Sequence, residues 1–274
     1  MSEADPQADV ETPGPSPFAE QLRVSSPFAE QFRVPQFGII HLLIWSTVTA
    51  VLLKYYLAIA DESSFQESPV QLWLIRISQS LSAILVGSIV IGSGILIRAR
   101  CYKMLRRLQP GHWLVLVVTF GALLNLIAWP IYRHFLRASS TSVWGYILGT
   151  TIAGSLTAAA YAVATVQLRD ARRWKFFFAV KVLGEVATVI LGLASLALSM
   201  LFHGRYSNLF FLSQGYWSIG AAAILVMLLV VTIMDVPIRA SRDWLHWLGI
   251  TVLVAGYAMS LAWQAYYTFF RTSL

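Results

Sequence analysis

Phe211–Met234 reads FLSQGYWSIGAAAILVMLLVVTIM, a run without one Asp, Glu, Lys or Arg. It is longer than the ~20 residues that ~30 Å of hydrocarbon asks of a helix. In lipid no water can pair with open peptide groups, so such a run must close its own hydrogen bonds and cross as a helix. Six more stretches repeat the pattern: Phe37–Ala60, Leu74–Ile97, Trp113–Phe135, Trp144–Val166, Phe177–Phe202 and Trp244–Phe270. Trp or Tyr stands at many of their ends, among them Trp73, Trp113, Tyr132, Trp144, Trp174, Tyr216, Trp244 and Tyr266. An amphipathic ring there keeps one edge wet and the rest in hydrocarbon. The expected fold is all-α: a polytopic membrane protein with seven transmembrane helices over residues 37–274.

Composition agrees. Of 274 residues, 57% are hydrophobic and 12% charged, and mean hydropathy is +0.66. Soluble domains carry about 25% charged residues; the deficit fits a surface that faces lipid, where charge is costly. The net charge of +7 could suggest nucleic acid. The basic residues instead sit in short loops beside apolar spans, as orientation signals do. The expected partner is therefore the lipid bilayer and not nucleic acid. Cys101 is the single cysteine, which excludes an intramolecular disulfide and a cysteine-based metal site.

Lys and Arg also set the expected orientation. One side holds Arg23, Arg33, Arg98, Arg100, Lys103, Arg106, Arg107, Arg169, Arg172, Arg173, Lys175, Arg239 and Arg242. The other holds Lys54, Arg76, Arg133, Arg137, Arg205 and Arg271. The positive-inside rule then places the N-terminus in the cytoplasm and the C-terminus outside.

Residues 1–36 are polar, rich in Pro, Ser, Ala, Glu and Gln, and have no apolar core of the kind a cleavable signal peptide needs. They are expected to form a disordered cytoplasmic tail. The tail holds a tandem repeat, Ser16-Pro-Phe-Ala-Glu-Gln-Leu-Arg-Val24 and Ser26-Pro-Phe-Ala-Glu-Gln-Phe-Arg-Val34. Two readings fit it: a duplicated motif that docks a protein partner through residues 16–34, or slippage duplication in a linker.

A second repeat lies inside the spans. Laid ungapped on His246–Ser273, the stretch His112–Ser139 matches at His-Trp-Leu, Val118, Ala128-Trp129, Tyr132, Phe135, Arg137 and Ser139. Both stretches run outward, so the match points to a parallel 3+1+3 arrangement, a known transporter architecture. Shared belt aromatics on two outward helices would produce part of the same match. Span four, with Gly145, Gly149, Ala153, Gly154, Ser155 and Ala158, is expected to lie buried between neighbours, because small residues let backbones approach.

Glu185 is the one acid well inside a span, and Lys181 stands one turn before it on the same face. Such a carboxyl suggests a proton- or cation-linked site. The alternative is that Lys181 reaches back to the interface and Glu185 neutralises it there. Asn125 in span three and Gln264 in span seven are amides able to bond between helices. The candidate intramembrane polar site is thus Glu185, Lys181 and Asn125. The histidines His41, His112, His134, His203 and His246 never pair at i, i+3 or i+4, and most fall at span ends, where a wet ring is expected. There is no phosphate loop, no Gly-x-Ser-x-Gly and no His-Glu-x-x-His. No metal, cofactor or catalytic residue is expected, and the chain does not read as an enzyme.

Phe37-Gly-Ile-Ile-His-Leu-Leu-Ile-Trp-Ser-Thr-Val-Thr-Ala-Val-Leu-Leu53, following the Ser-Pro-Phe-Ala tail, resembles the first span of many uncharacterised bacterial multi-span integral membrane proteins. The resemblance covers the tail and first span, and implies a bacterial inner membrane without a defined activity. The 3+1+3 scheme is similar in architecture alone to the SWEET and PQ-loop sugar transporters. Their Pro-Gln signature is missing from spans one and five, and the expected orientation is opposite. The expected function is to bind or move a small or amphipathic solute; the alternative is a membrane scaffold or partner subunit docking through its repeated tail.

Overall fold

The structure, a computed structural model, describes residues 38–63, 69–102, 108–138, 142–168, 171–201, 207–236 and 242–270. The tail and its tandem repeat lie outside the described residues. Seven helices follow: α1 (Ile39–Ser63), α2 (Pro69–Cys101), α3 (Pro110–Ala138), α4 (Ser142–Gln167), α5 (Arg172–Leu201), α6 (Ser207–Asp235) and α7 (Trp244–Phe270). All seven are long and apolar enough to cross a membrane, so the chain is an all-α integral membrane protein. Pro69 and Pro110 open α2 and α3, where the missing N–H is no loss and the fixed φ suits the first turn.

α3 and α7 form the centre. α3 packs on α2, α4 and α7, and α7 on α2, α3 and α6. Their inward faces divide between two apolar cores. On one side Leu114, Val117, Ile250 and Leu253 join Tyr161, Trp174, Phe177, Phe178 and Leu228. On the other, Val115, Leu245 and Val252 join Ile89, Ile95 and Leu96 of α2. In lipid the outward faces gain nothing by being polar, and α1 shows this most clearly. It packs on α2, while Ile39, Ile40, Leu42, Leu43 and Val51 stay exposed to the hydrocarbon.

The small residues of the central pair and of α2 explain how close the helices come. A methyl group at Gly111 would collide with the backbone of His246, and one at Gly249 with the carbonyl of Gly111. At Gly87 it would collide with Thr49 of α1. α4 differs from its expected central place. Gly154 does face α5, near Val189 and Thr188, but Leu148, Ile152, Leu156, Val163 and Val166 form an exposed stripe along the opposite side. Gly154 and Ala158 are buried on one contact face while Ser155 is exposed, so α4 packs on α3 and α5 and leaves the rest to lipid. Gly220 of α6 has no heavy atom within 4 Å of where a methyl group would stand.

Gly111→Ala should therefore force α3 and α7 apart. The expected cost is about 1–3 kcal/mol, as for other overpacked contacts, read as a lower unfolding midpoint in lipid discs. Gly94→Ala, whose new methyl would meet nothing within 4 Å, is the control and should leave the midpoint unchanged or raise it. Equal behaviour of the two variants would show that α3 and α7 do not touch at Gly111.

Candidate functional site

Lys181 and Glu185 lie on the inward face of α5. Trp174, Phe177, Phe178 and Lys181 make that face one continuous buried stripe. Lys181 Nζ donates to Glu185 Oε1 at 3.0 Å and to the Tyr257 hydroxyl of α7 at 2.7 Å. It also lies 5.1 Å from the ring centroid of Tyr161 on α4, within cation–π range. The Tyr257 centroid is 5.4 Å away, close to the sum of the ring-to-hydroxyl reach and the 2.7 Å contact. Tyr257 therefore meets the ammonium end-on, through its oxygen, and Tyr161 supplies the ring face. Three helices converge on one cation.

The lysine side chain is 8% exposed and that of Glu185 18%. Lys181 is thus buried within the bundle, with its ammonium held among aromatic groups. Roughly 1.5 Å of rise per residue puts it about 13 Å along α5 from Arg172. A buried ion pair that loses one partner leaves an uncompensated charge, at a cost of about 3–5 kcal/mol. The phenol oxygen and ring face add partners that the carboxylate alone does not provide.

Asn125 takes no part in this group. Its side chain is exposed, and its Nδ2 donates to the Gly121 carbonyl of its own helix at 2.9 Å. Satisfying the amide within the helix is the inexpensive solution on a lipid-facing side.

A second polar group lies where α3, α5 and α7 begin. His112 and His246, expected to be wet, are both fully buried. They and their neighbours cap the two central helices reciprocally. The Gln109 N–H donates to His112 Nδ1 at 3.2 Å, and the His246 N–H donates to Asp243 Oδ1 at 2.9 Å. Across the pair, the Gly111 N–H of α3 donates to His246 Nδ1 at 3.0 Å. The Asp243 N–H donates to Gln109 Oε1 at 3.4 Å. The Gly111 and His246 N–H groups lie in the first turn, where a helix cannot satisfy them internally, and Gln109 and Asp243 stand just before it.

Because both Nδ1 atoms accept, the ring protons belong on Nε2. His112 Nε2 donates to Asp243, 2.8 and 2.9 Å from its two oxygens. His246 Nε2 lies 3.3 Å from Asp235 Oδ2, a close approach without the alignment of a full hydrogen bond. Asp235 ends α6, where a carboxylate opposes the helix dipole. Trp174 Nε1 offsets this by donating to Oδ2 at 3.0 Å, and Arg242 Nη2 stands 3.3 Å away. The Trp174 and His246 rings meet edge to face at 5.8 Å. The acids and histidines thus pair two by two. Among the described residues no three His, Cys, Asp or Glu side chains converge as metal ligands would.

Sequence spacing along one helix could not find this group, since its members come from four helix ends. A usable signal was present nonetheless: the matched His-Trp-Leu stretches open the two helices whose starts meet.

Asp243→Ala removes the α7 cap and leaves the buried His112 Nε2–H without an acceptor. The expected loss is about 1–3 kcal/mol. A double-mutant cycle with His112→Ala should give a coupling of about 0.5–3 kcal/mol. Additive losses would show that the pair is not directly joined.

No family of known proteins matches the chain, and no curated protein or solved structure shows significant similarity to it.

Proposed function

We propose that this membrane protein binds or moves a small or amphipathic solute, with Lys181 and Glu185 at the coupling site, and that it is not an enzyme. The observation that carries the reading is a carboxylate and an ammonium held inside the helical bundle by side chains from three helices. Ionisable groups inside a span are expensive, and they recur where ions, protons or charged solutes are handled. Purely structural glue would be cheaper: apolar side chains of similar volume are often neutral or stabilising replacements for a buried pair. In this reading the basic end faces the cytoplasm, in a bacterial inner membrane. The touching His-Trp-Leu starts of α3 and α7 support the 3+1+3 duplication.

The test is purification into lipid discs, followed by mass spectrometry of what is retained. A single enriched small molecule or lipid, lost from a properly inserted Glu185→Gln variant, is the expected result. Equal retention by that variant would overturn the coupling role. A stoichiometric protein partner that is lost on deleting residues 16–34, with no enriched small molecule, would replace this reading with the scaffold.

Orientation has its own test, because Cys101 is the single cysteine, is free and is exposed at the end of α2. A membrane-impermeant maleimide should label it in inside-out vesicles and not in intact cells. The reverse labelling would invert the topology.

A further inference from the structure

We infer that the meeting of α3 and α7 is a proton-operated latch, closed while His246 is neutral and released when its ring takes up a second proton. The latch is independent of the Lys181 group and adds a regulated state to the bundle.

The His246 ring has two rival partners on two other helices. Nδ1 accepts the Gly111 N–H of α3 at 3.0 Å, and Nε2 lies 3.3 Å from Asp235 Oδ2 at the end of α6. Only the first is an aligned hydrogen bond; Nε2 has no full partner although it is buried. A neutral ring carries its one proton on Nε2 and keeps a lone pair at Nδ1 for Gly111. An imidazolium has N–H at both positions and no lone pair. Its Nδ1 proton would point at the Gly111 N–H, donor against donor. Turning the ring over gives no escape, because a ring carbon would then face Gly111. The charged ring therefore gives up the α3 contact, while its Nε2–H gains a charge-assisted pull toward the Asp235 carboxylate.

That one bond holds much. The Gly111 amide lies in the first turn of α3, where the helix offers no acceptor. A buried donor left unpaired is costly. The backbones meet so closely that a methyl group at Gly111 would collide with His246, and both residues are buried. Water reaches the orphaned amide only when the two starts part.

Every element packed around His246 bears on its charge. α6 brings Asp235, which favours the imidazolium, but Arg242 Nη2 already stands 3.3 Å from that carboxylate. α3 brings His112, whose Nε2 proton is committed to Asp243, the residue that caps α7. α5 brings the edge of Trp174, and α2 the apolar Ile89, Ile95 and Leu96. The two histidines differ in what their Nδ1 atoms hold. His112 accepts from Gln109, three residues before it, at 3.2 Å. A proton there disturbs a local cap; a proton on His246 breaks a bond between helices. Capping alone does not call for histidine. Asn, Asp and Ser accept first-turn N–H groups, as Asp243 does for His246. Histidine is the side chain that ordinarily changes charge between about pH 5 and 8.

The experiment follows the Gly111 amide by hydrogen exchange, in the full chain in lipid discs, across that pH range. Protection, taken relative to an unstructured chain at each pH, should be high at the alkaline end. Below about pH 6.5 a wet imidazole takes up its proton. Parting then binds one proton, and protection should fall about tenfold per pH unit. His246→Asn supplies a side-chain oxygen as acceptor without titrating; it should keep the protection and lose the slope. His112→Asn should keep the slope. A flat wild-type profile overturns the latch, and that result needs no variant to fold. A slope that survives in His246→Asn, or disappears in His112→Asn, puts the titration elsewhere and overturns it equally.

Discussion

The structure depends on a backbone contact between two helix starts. Gly111 brings α3 against the backbone of His246, and a Cβ at that position has nowhere to go. Once the helices are that close, their orphan first-turn N–H groups lose access to water and must be met from within. His246 Nδ1 accepts from Gly111, Asp243 from His246, and the His112 ring from Gln109. The cap and the close approach require each other. With the glycine alone, the starts would carry unsatisfied donors at the head of two apolar helices. With the histidines alone, the rings could not reach across. Asp243 is further stabilised by sitting at a helix N-terminus, where the dipole favours a carboxylate.

That contact fixes more than one end of the bundle. An α-helix is stiff, with about 3.6 residues per turn. Setting the rotation of α7 at His246 therefore also sets which residues it presents three turns further on. Gly249, Val252, Leu253 and Gly256 follow on one inward stripe, and Tyr257 reaches the Lys181 ammonium from beside it. On α5 the same logic runs from Trp174, which donates to Asp235 at the polar end, through Phe177 and Phe178 to Lys181. The polar end and the buried cation are joined by two rigid rods and an aromatic layer between them.

The seven spans were legible because hydropathy and length are the physics that membranes impose, and Phe211–Met234 and its counterparts satisfy both without ambiguity. The Lys181–Glu185 pair was legible for the same reason, since a charge inside a span stands out against its surroundings. What surrounds the pair was not. Tyr161 and Tyr257 belong to other helices, and nothing in one sequence says which faces of α4 and α7 turn toward α5. Asn125 failed as a partner because an amide can satisfy itself on its own helix, an option that spacing cannot rule out. The small residues of α4 did mark a packing face, but their number overstated it: five large apolar residues at helical spacing on the other side mark lipid. The buried histidines were misread because helix ends are usually wet, a rule suspended where two ends meet at a glycine.

The two polar groups solve the same problem in opposite ways, and the contrast separates scaffold from candidate site. At the basic end the helix-start N–H groups have acceptors and Asp235 and Asp243 each have several partners, so the group ties the helix ends together. Its removal would damage the fold. Around Lys181 the account is left open. Glu185 is engaged through one oxygen and stays part-exposed, and the ring of Tyr161 faces a cation that is covalently tethered. Apolar side chains of similar volume would often replace such a pair at no loss of stability, so packing alone does not call for it, whereas the helix starts cannot do without their caps.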